Sequence, residues 1–176
     1  MGYVFNESKS SYINIPQTTN MFANVSNISV SFWMKTNESQ NKDLWLKLTT
    51  PGWLLIRQGD SSNVNCRIWV YMYGGSNNNV HTSYGSNTLC DDKWHHIAVT
   101  FNQTSSGISF DNLNVYYDGE WNAKCNGNFC EGHVVTNGTQ IIRLAQGSLS
   151  GGFRNGSLDE LTVHNRLLSA DEIRDI

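Results

Sequence analysis

Residues 91–101 read DDKWHHIAVTF, which puts two acids and two histidines within six positions. These residue types hold metal ions and move protons. Their spacing decides whether they can act together. His95 and His96 open an alternation in which His95, Ile97, Val99 and Phe101 oppose His96, Ala98 and Thr100. Adjacent side chains on a strand leave opposite faces, so the two imidazoles cannot share one ion without a bulge. Asp91 and Asp92 fall in the preceding turn, where they are expected to face water, and Trp94 is expected to pack at the end of the fold. The stretch is read as the entry to a strand. The alternative is a metal site built from one histidine and a distant loop.

A second group of residues could hold a sugar. Sugar C–H faces are apolar and sugar hydroxyls need directed polar partners, so aromatic faces flanked by polar groups suit them. CRIWVYMYG alternates Arg67, Trp69, Tyr71 and Tyr73 on one face with Cys66, Ile68, Val70 and Met72 on the other. Positions two apart on a strand lie about 7 Å apart, which makes the first set a row. Either face could be the buried one. Trp45, Trp53 and Trp121 stand near turn sequences and are alternative platforms, Trp121 being retained as a candidate ligand contact.

The elements that must position these residues are mostly strands. Period-two alternation runs through ISVSFWMKT, with Ile28, Val30, Phe32 and Met34 on one face, and through LNVYYDG, which ends in an Asp-Gly turn signal. IIRLAQG and GSLDELTVHN follow the same habit, and clusters such as YGGSNNN are loops by composition. One short helix is expected in SADEIRDI, with Ser169 as N-cap and Glu172 completing a capping box. The fold class is all-β, an antiparallel two-sheet sandwich with a short C-terminal helical turn. There is no internal repeat. The whole chain, 1–176, reads as one domain excised from a longer protein, since the N-terminus opens almost directly into a strand and carries no leader pattern.

Composition bounds the partners. Net charge is −3, and 12 Lys and Arg are scattered without a basic run, which argues against nucleic acid. No apolar run approaches the roughly 18 residues of a membrane span, so no membrane insertion is expected. Seven glycosylation sequons begin at Asn6, Asn24, Asn27, Asn37, Asn102, Asn137 and Asn155. Chance pairing of this many Asn, Ser and Thr gives roughly four. Four cysteines allow three pairings; the local CNGNFC loop favours Cys125 with Cys130, leaving Cys66 with Cys90. Free thiols are the alternative; zinc lacks a C-x₂-C spacing. Sequons and paired cysteines together point outside the cell.

Several stretches carry a resemblance. DDKWHHIAVTFN resembles the W-H-H-[IV]-A-V-T-[FY] signature of laminin-G-like, concanavalin A-type jelly rolls. YVFNESKSSYINIP resembles the opening strand and turn of that family, ISVSFWMKT its next long strand, LNVYYDGEW its L-x-[LV]-Y-x-D-G strand and turn, and FRNGSLDELTVHNRLLSADEI its closing motif. The pieces arrive in family order over residues 3–176. The resemblance implies two stacked antiparallel sheets, an extracellular, cell-surface or virion setting, and glycan binding or adhesion. It also implies a structural calcium near the sandwich edge, carried here by Asp159 with Asn6 and Glu7 near the matching turn. Family openings often have Asp-Gly where this chain has Asn6 and Glu7, and neither the cysteine pairs nor CNGNFCEGHVVTNGT is a general family feature.

The family also includes glucanases, which resemble a pattern of acids at alternating positions on one strand. A retaining pair needs carboxyls about 5 Å apart. Asp159 and Glu160 are adjacent and expected on opposite faces, and neither a Gly-x-Ser-x-Gly elbow nor a plausible cysteine dyad is present. The chain is therefore read as a non-catalytic recognition module for a glycan or a surface protein. The alternative is a structural or protein-adhesion domain that binds no glycan.

Overall fold

The structure is a computed structural model that describes residues 2–6, 12–16, 26–37, 43–49, 52–58, 66–74, 79–84, 89–102, 113–124, 141–144 and 155–176; at 43–49, 52–55, 57, 71–74, 79–84, 123–124 and 141 it describes the backbone. The strands are β1 (Tyr3–Phe5), β2 (Ile13–Pro16), β3 (Asn27–Lys35), β4 (Asp43–Thr49), β5 (Gly52–Gln58), β6 (Ile68–Gly74), β7 (Asn79–Tyr84), β8 (Trp94–Asn102), β9 (Leu113–Tyr117), β10 (Glu120–Lys124), β11 (Ile141–Leu144) and β12 (Gly156–His164), followed by α1 (Ala170–Arg174). They form two sheets, here the first and the second. The first has the order β1-β12-β3-β8-β9-β10 and the second β2-β11-β4-β5-β6-β7. Each ladder is antiparallel. The expected sandwich is what the alternation builds.

The core lies between the sheets. β3 sends Ile28, Val30, Phe32 and Met34 into it, β8 sends Ile97, Val99 and Phe101, and the second sheet answers with Ile56, Ile68, Val70, Ile142 and Leu144. Burying each such side chain fully contributes about 1.5–3 kcal/mol. Specific links also cross the layers. The Tyr117 hydroxyl accepts the Ile68 backbone N–H at 3.2 Å, and burial pushes that phenol's pKa up. Cys66 and Cys90 are bonded, with Cα atoms 5.5 Å apart, as the sequence favoured. Cys125 and Cys130 lie outside the described residues.

The outer face of the first sheet has its own small core. Leu168 and Ile173 pack on Ala98 and Tyr116. The capping box forms as expected: Ser169 accepts the Glu172 N–H at 3.2 Å, and the Glu172 carboxylate accepts the Ser169 N–H at 2.8 Å. Arg166 clasps the same carboxylate at 2.7 and 2.9 Å. The guanidinium first, then the Ser169 N–H, hold that carboxyl down to about 2.

Candidate functional site

His95 and His96 do leave opposite faces. His95 pairs in register with Met34 and His96 with Trp33. The His95 ring is held between two acids, Nδ1 at 2.8 Å from Asp118 and Nε2 at 2.9 Å from Asp91. Both ring nitrogens must donate to serve two carboxylates, so this geometry calls for the imidazolium. Burial alone would lower the pKa of His95, but the bonds to Asp118 and Asp91 outweigh it and the net shift is upward. Lys93, and then His95, hold Asp91 well below the usual carboxylate range. Asp118 and Gly119 form the expected Asp-Gly turn, with φ of 50° and 80°. The second Asp118 oxygen accepts the His96 backbone N–H at 2.8 Å. The cluster fastens the β9–β10 turn to the start of β8. Among the described residues no three His, Cys, Asp or Glu side chains gather in a way that could hold a metal ion.

The row on β6 acquires a definite side. Ile68 and Val70 are core residues, so Arg67 and Trp69, both half-buried, belong to the outer face of the second sheet. Strand alternation carries that face through positions 71 and 73; the side chains of Tyr71 and Tyr73 lie outside the described residues. Register sets Trp69 opposite Arg57 on β5 and Ser83 on β7, and sets Trp53 opposite Tyr73. Trp121 stands elsewhere, on β10 at the far side of the first sheet, 53% exposed, with its indole N–H donating to Asn114 at 3.2 Å. The structure therefore does not join Trp121 to the β6 row.

A cleft that the sequence did not suggest opens on the outer face of the first sheet. It holds about 420 Å³ and is lined by Trp33, Trp94, Asp159, Glu160 and Ile176. Asp159, Trp33 and His96 stand in one cross-strand row over β12, β3 and β8. Trp94 faces Lys35 and so lies diagonally from Trp33 on the same face. It is 41% exposed, and it forms a wall of the cleft where an end-packing role had been expected. Gly2 lies directly against it: a Cβ added there would come within 2.8 Å of the Trp94 ring.

Two adjacent carboxylates reach this cleft because β12 is not regular. The register breaks between Asp159 and Thr162, and Glu160 takes φ of 49°. A bulge of this kind redirects a side chain that simple alternation would send to the other face. The expectation that Asp159 and Glu160 diverge is thereby corrected. Beneath Trp33 lies His96, 2% exposed, with ring centroids 5.3 Å apart. Its Nε2 is buried and meets no hydrogen-bond partner among the described residues. Burial lowers its pKa, against smaller opposing pulls from Asp118 and Glu160, which favours the uncharged ring.

Two of the three expected calcium residues, Asn6 and Asp159, do not converge. β1 pairs with β12 so that Phe5 opposes Gly156 and Tyr3 opposes Leu158. Continuing that register puts Asn6 at Asn155 and Asp159 at Gly2, about 13 Å apart along the ladder. Asp159 also accepts the Glu160 N–H at 3.0 Å. Glu7 lies outside the described residues. Calcium takes six to eight oxygens at 2.3–2.6 Å, so Asn6 and Asp159 do not fit one coordination sphere.

The sequons divide by environment. Asn6, Asn37 and Asn155 are exposed, and Asn27 and Asn102 are half-buried partners across the β3–β8 ladder. Asn24 and Asn137 lie outside the described residues.

These features define a two-sheet antiparallel sandwich with the β6 row on the outer face of one sheet and the cleft on the outer face of the other. A laminin-G-type family model, described as the concanavalin A-like lectin/glucanases superfamily, matches residues 7–174. The chain belongs to this family. A search of curated proteins gave no match. Among solved structures the chain is similar to the binding domain of Paraclostridial Mosquitocidal Protein 1, at TM-score 0.73 and 16% identity, covering 99% of this chain and 42% of that one. It is similar to the botulinum neurotoxin type G receptor binding domain, at TM-score 0.63 and 15% identity over 99% of this chain and 41% of the other. Domains LG4-5 of the mouse laminin α1 chain give a TM-score of 0.58 and 13% identity over 92% and 41%. The chain thus spans about two fifths of the length of each, and at these identities the likeness is one of fold.

Proposed function

We propose that the chain is a non-catalytic extracellular recognition module that binds glycan through the outer face of the second sheet. The observation that carries this reading is the side taken by β6: Ile68 and Val70 fill the core, which leaves Arg67 and Trp69 on the outer face. An indole beside polar and cationic groups suits a sugar ring. The ladder adds Lys47, Arg57 and Arg143 at positions on that same face, and among the described strand positions no Asp or Glu shares it. That balance favours glycans carrying acid groups. The names of two structural neighbours, a binding domain and a receptor binding domain, support recognition over catalysis. The Cys66–Cys90 bond and the exposed sequons support an extracellular, cell-surface or virion setting.

The test is a glycan array with the wild-type chain and Trp69→Ala, each with calcium and with a chelator. Binding to a related set of acidic glycans that Trp69→Ala loses at least tenfold is the expected result. Loss with chelator would return calcium to the account, through ligands other than Asn6 and Asp159 as a pair. No binding in any condition would overturn the reading.

One observation favours a second reading, adhesion to protein. β1 is an edge strand with Tyr3 67% and Val4 78% exposed. An apolar edge of this kind accepts an added strand or a neighbouring domain.

A further inference from the structure

We propose that the cleft on the first sheet is a second binding site, separate from the β6 face, and that it takes an organic cation. The lining sorts the possible ligands. Asp159 and Glu160 carry acceptors only, so the ligand must bring the donors. The two indoles, Trp33 and Trp94, present electron-rich faces that attract a cation within about 6 Å of the ring. Among the described residues no basic side chain lines the cleft. The nearest one in register, Lys35, stands directly across from Trp94 on the same face and is paired with Asp92 at 3.5 Å. Burial of His96, beneath Trp33, favours its uncharged form.

A neutral sugar fits this lining less well, because the Asp159 and Glu160 carboxylates only accept and, among the described lining side chains, the two indole N–H groups alone donate. An anion would meet two carboxylates. A cation meets two aromatic faces and two carboxylates together. The volume of about 420 Å³ admits an ammonium group with an organic stem attached. The geometry is built for the purpose in one further respect. Glu160, which lines the cleft beside Asp159, adopts φ of 49° inside the β12 bulge, a conformation disfavoured for a side-chain-bearing residue.

The experiment uses the full 176-residue chain labelled with ¹⁵N and follows the indole N–H signals, assigned by single Trp→Phe variants. Three probes share one stem: butylammonium, butyltrimethylammonium and butanol, each at matched ionic strength. Saturable shifts of the Trp33 and Trp94 signals by either cation, with butanol about tenfold weaker or more, sustain the proposal. Which cation binds better tells whether carboxylate hydrogen bonds or indole faces dominate. The double variant Asp159→Asn, Glu160→Gln should abolish the preference for cations. The Trp121 indole, two strands away on β10, should stay in place in that variant and report that it is folded. Equal shifts by butanol, shifts that do not saturate, or unchanged cation binding in the folded double variant would overturn it. None of these outcomes depends on whether the β6 face binds glycan.

Discussion

The imidazole of His95 bonds Asp118, a residue 23 positions later, at 2.8 Å, and Asp118 in turn accepts the backbone N–H of His96 at 2.8 Å. One side chain thereby ties the start of β8 to the β9–β10 turn. The tie depends on a proton. The pKa of His95 is raised on folding, so its stabilising contribution is fully present below the unfolded value near 6.5 and is lost as pH rises through the higher folded value. Asp91 stays ionised over this window, since its own pKa is lowered. Thermal unfolding of the wild type and His95→Gln should therefore differ most near pH 5.5 and least near pH 9. A difference that grows with pH would contradict the clasp.

Ser29 should matter more than its size suggests. Its hydroxyl donates to the Arg166 carbonyl at 2.8 Å and accepts the Leu168 N–H at 2.9 Å, and Ser29 itself is wholly buried. Ser29→Ala leaves a buried N–H and a carbonyl without that partner, at a cost of about 1–3 kcal/mol. Hydrogen exchange should speed up first over residues 166–176, where Leu168 and Ile173 cover the outer face. Chemical denaturation with peptide-resolved exchange checks both the size and the place.

Cys66 and Cys90 close a loop with a sequence separation of 24. Chain entropy alone makes such a bridge worth about 3 kcal/mol. Replacing both cysteines by alanine should shift the denaturation midpoint accordingly, and adding reductant to that variant should not reproduce the same loss a second time at this bridge. Both sulfurs are held in the bond, so alkylation of the unreduced wild type should leave Cys66 and Cys90 unlabelled.

In protein secreted from eukaryotic cells, Asn6, Asn37 and Asn155 should carry glycan and Asn27 should not. The side chain of Asn27 is half-buried in β3, and the Ser29 of its sequon is spent on Arg166 and Leu168. Glycopeptide mapping of the folded, secreted chain decides this, and full occupancy at Asn27 would show that the start of β3 is more open than described.

Much of this molecule could be read from residues alone, and the reasons are local. The faces of β3 and β8 follow from strict alternation, the β9–β10 turn from Asp118-Gly119, and the capping box from Ser169 and Glu172. All of these rest on neighbours within a few positions. The cleft could not be read in this way. It brings together Trp33, Trp94 and Asp159 from three strands whose pairing alternation does not specify. Nothing in SLDELTV announces a bulge, so alternation alone sets Asp159 and Glu160 on opposite faces. Trp33 did leave a signal: it is a large indole on the face of β3 that faces away from Ile28, Val30, Phe32 and Met34. For β6 the two faces are both apolar enough to be buried, and only the packing partners of Ile68 and Val70 decide between them.

The strand order also has a consequence in time. β1 lies at the edge of the first sheet with β12 as its partner, and β2 lies at the edge of the second with β11 as its partner. The first strands to leave a ribosome are thus the last to be paired. At synthesis rates of about 5–20 residues per second, β1 waits on the order of ten seconds for its partner to be made. Through that interval Tyr3, Val4 and Phe5 wait without the β12 partner they have in the folded sheet. Folding of this sandwich is completed from its C-terminal end, and anything that delays β11 or β12 leaves both sheets open at the same moment.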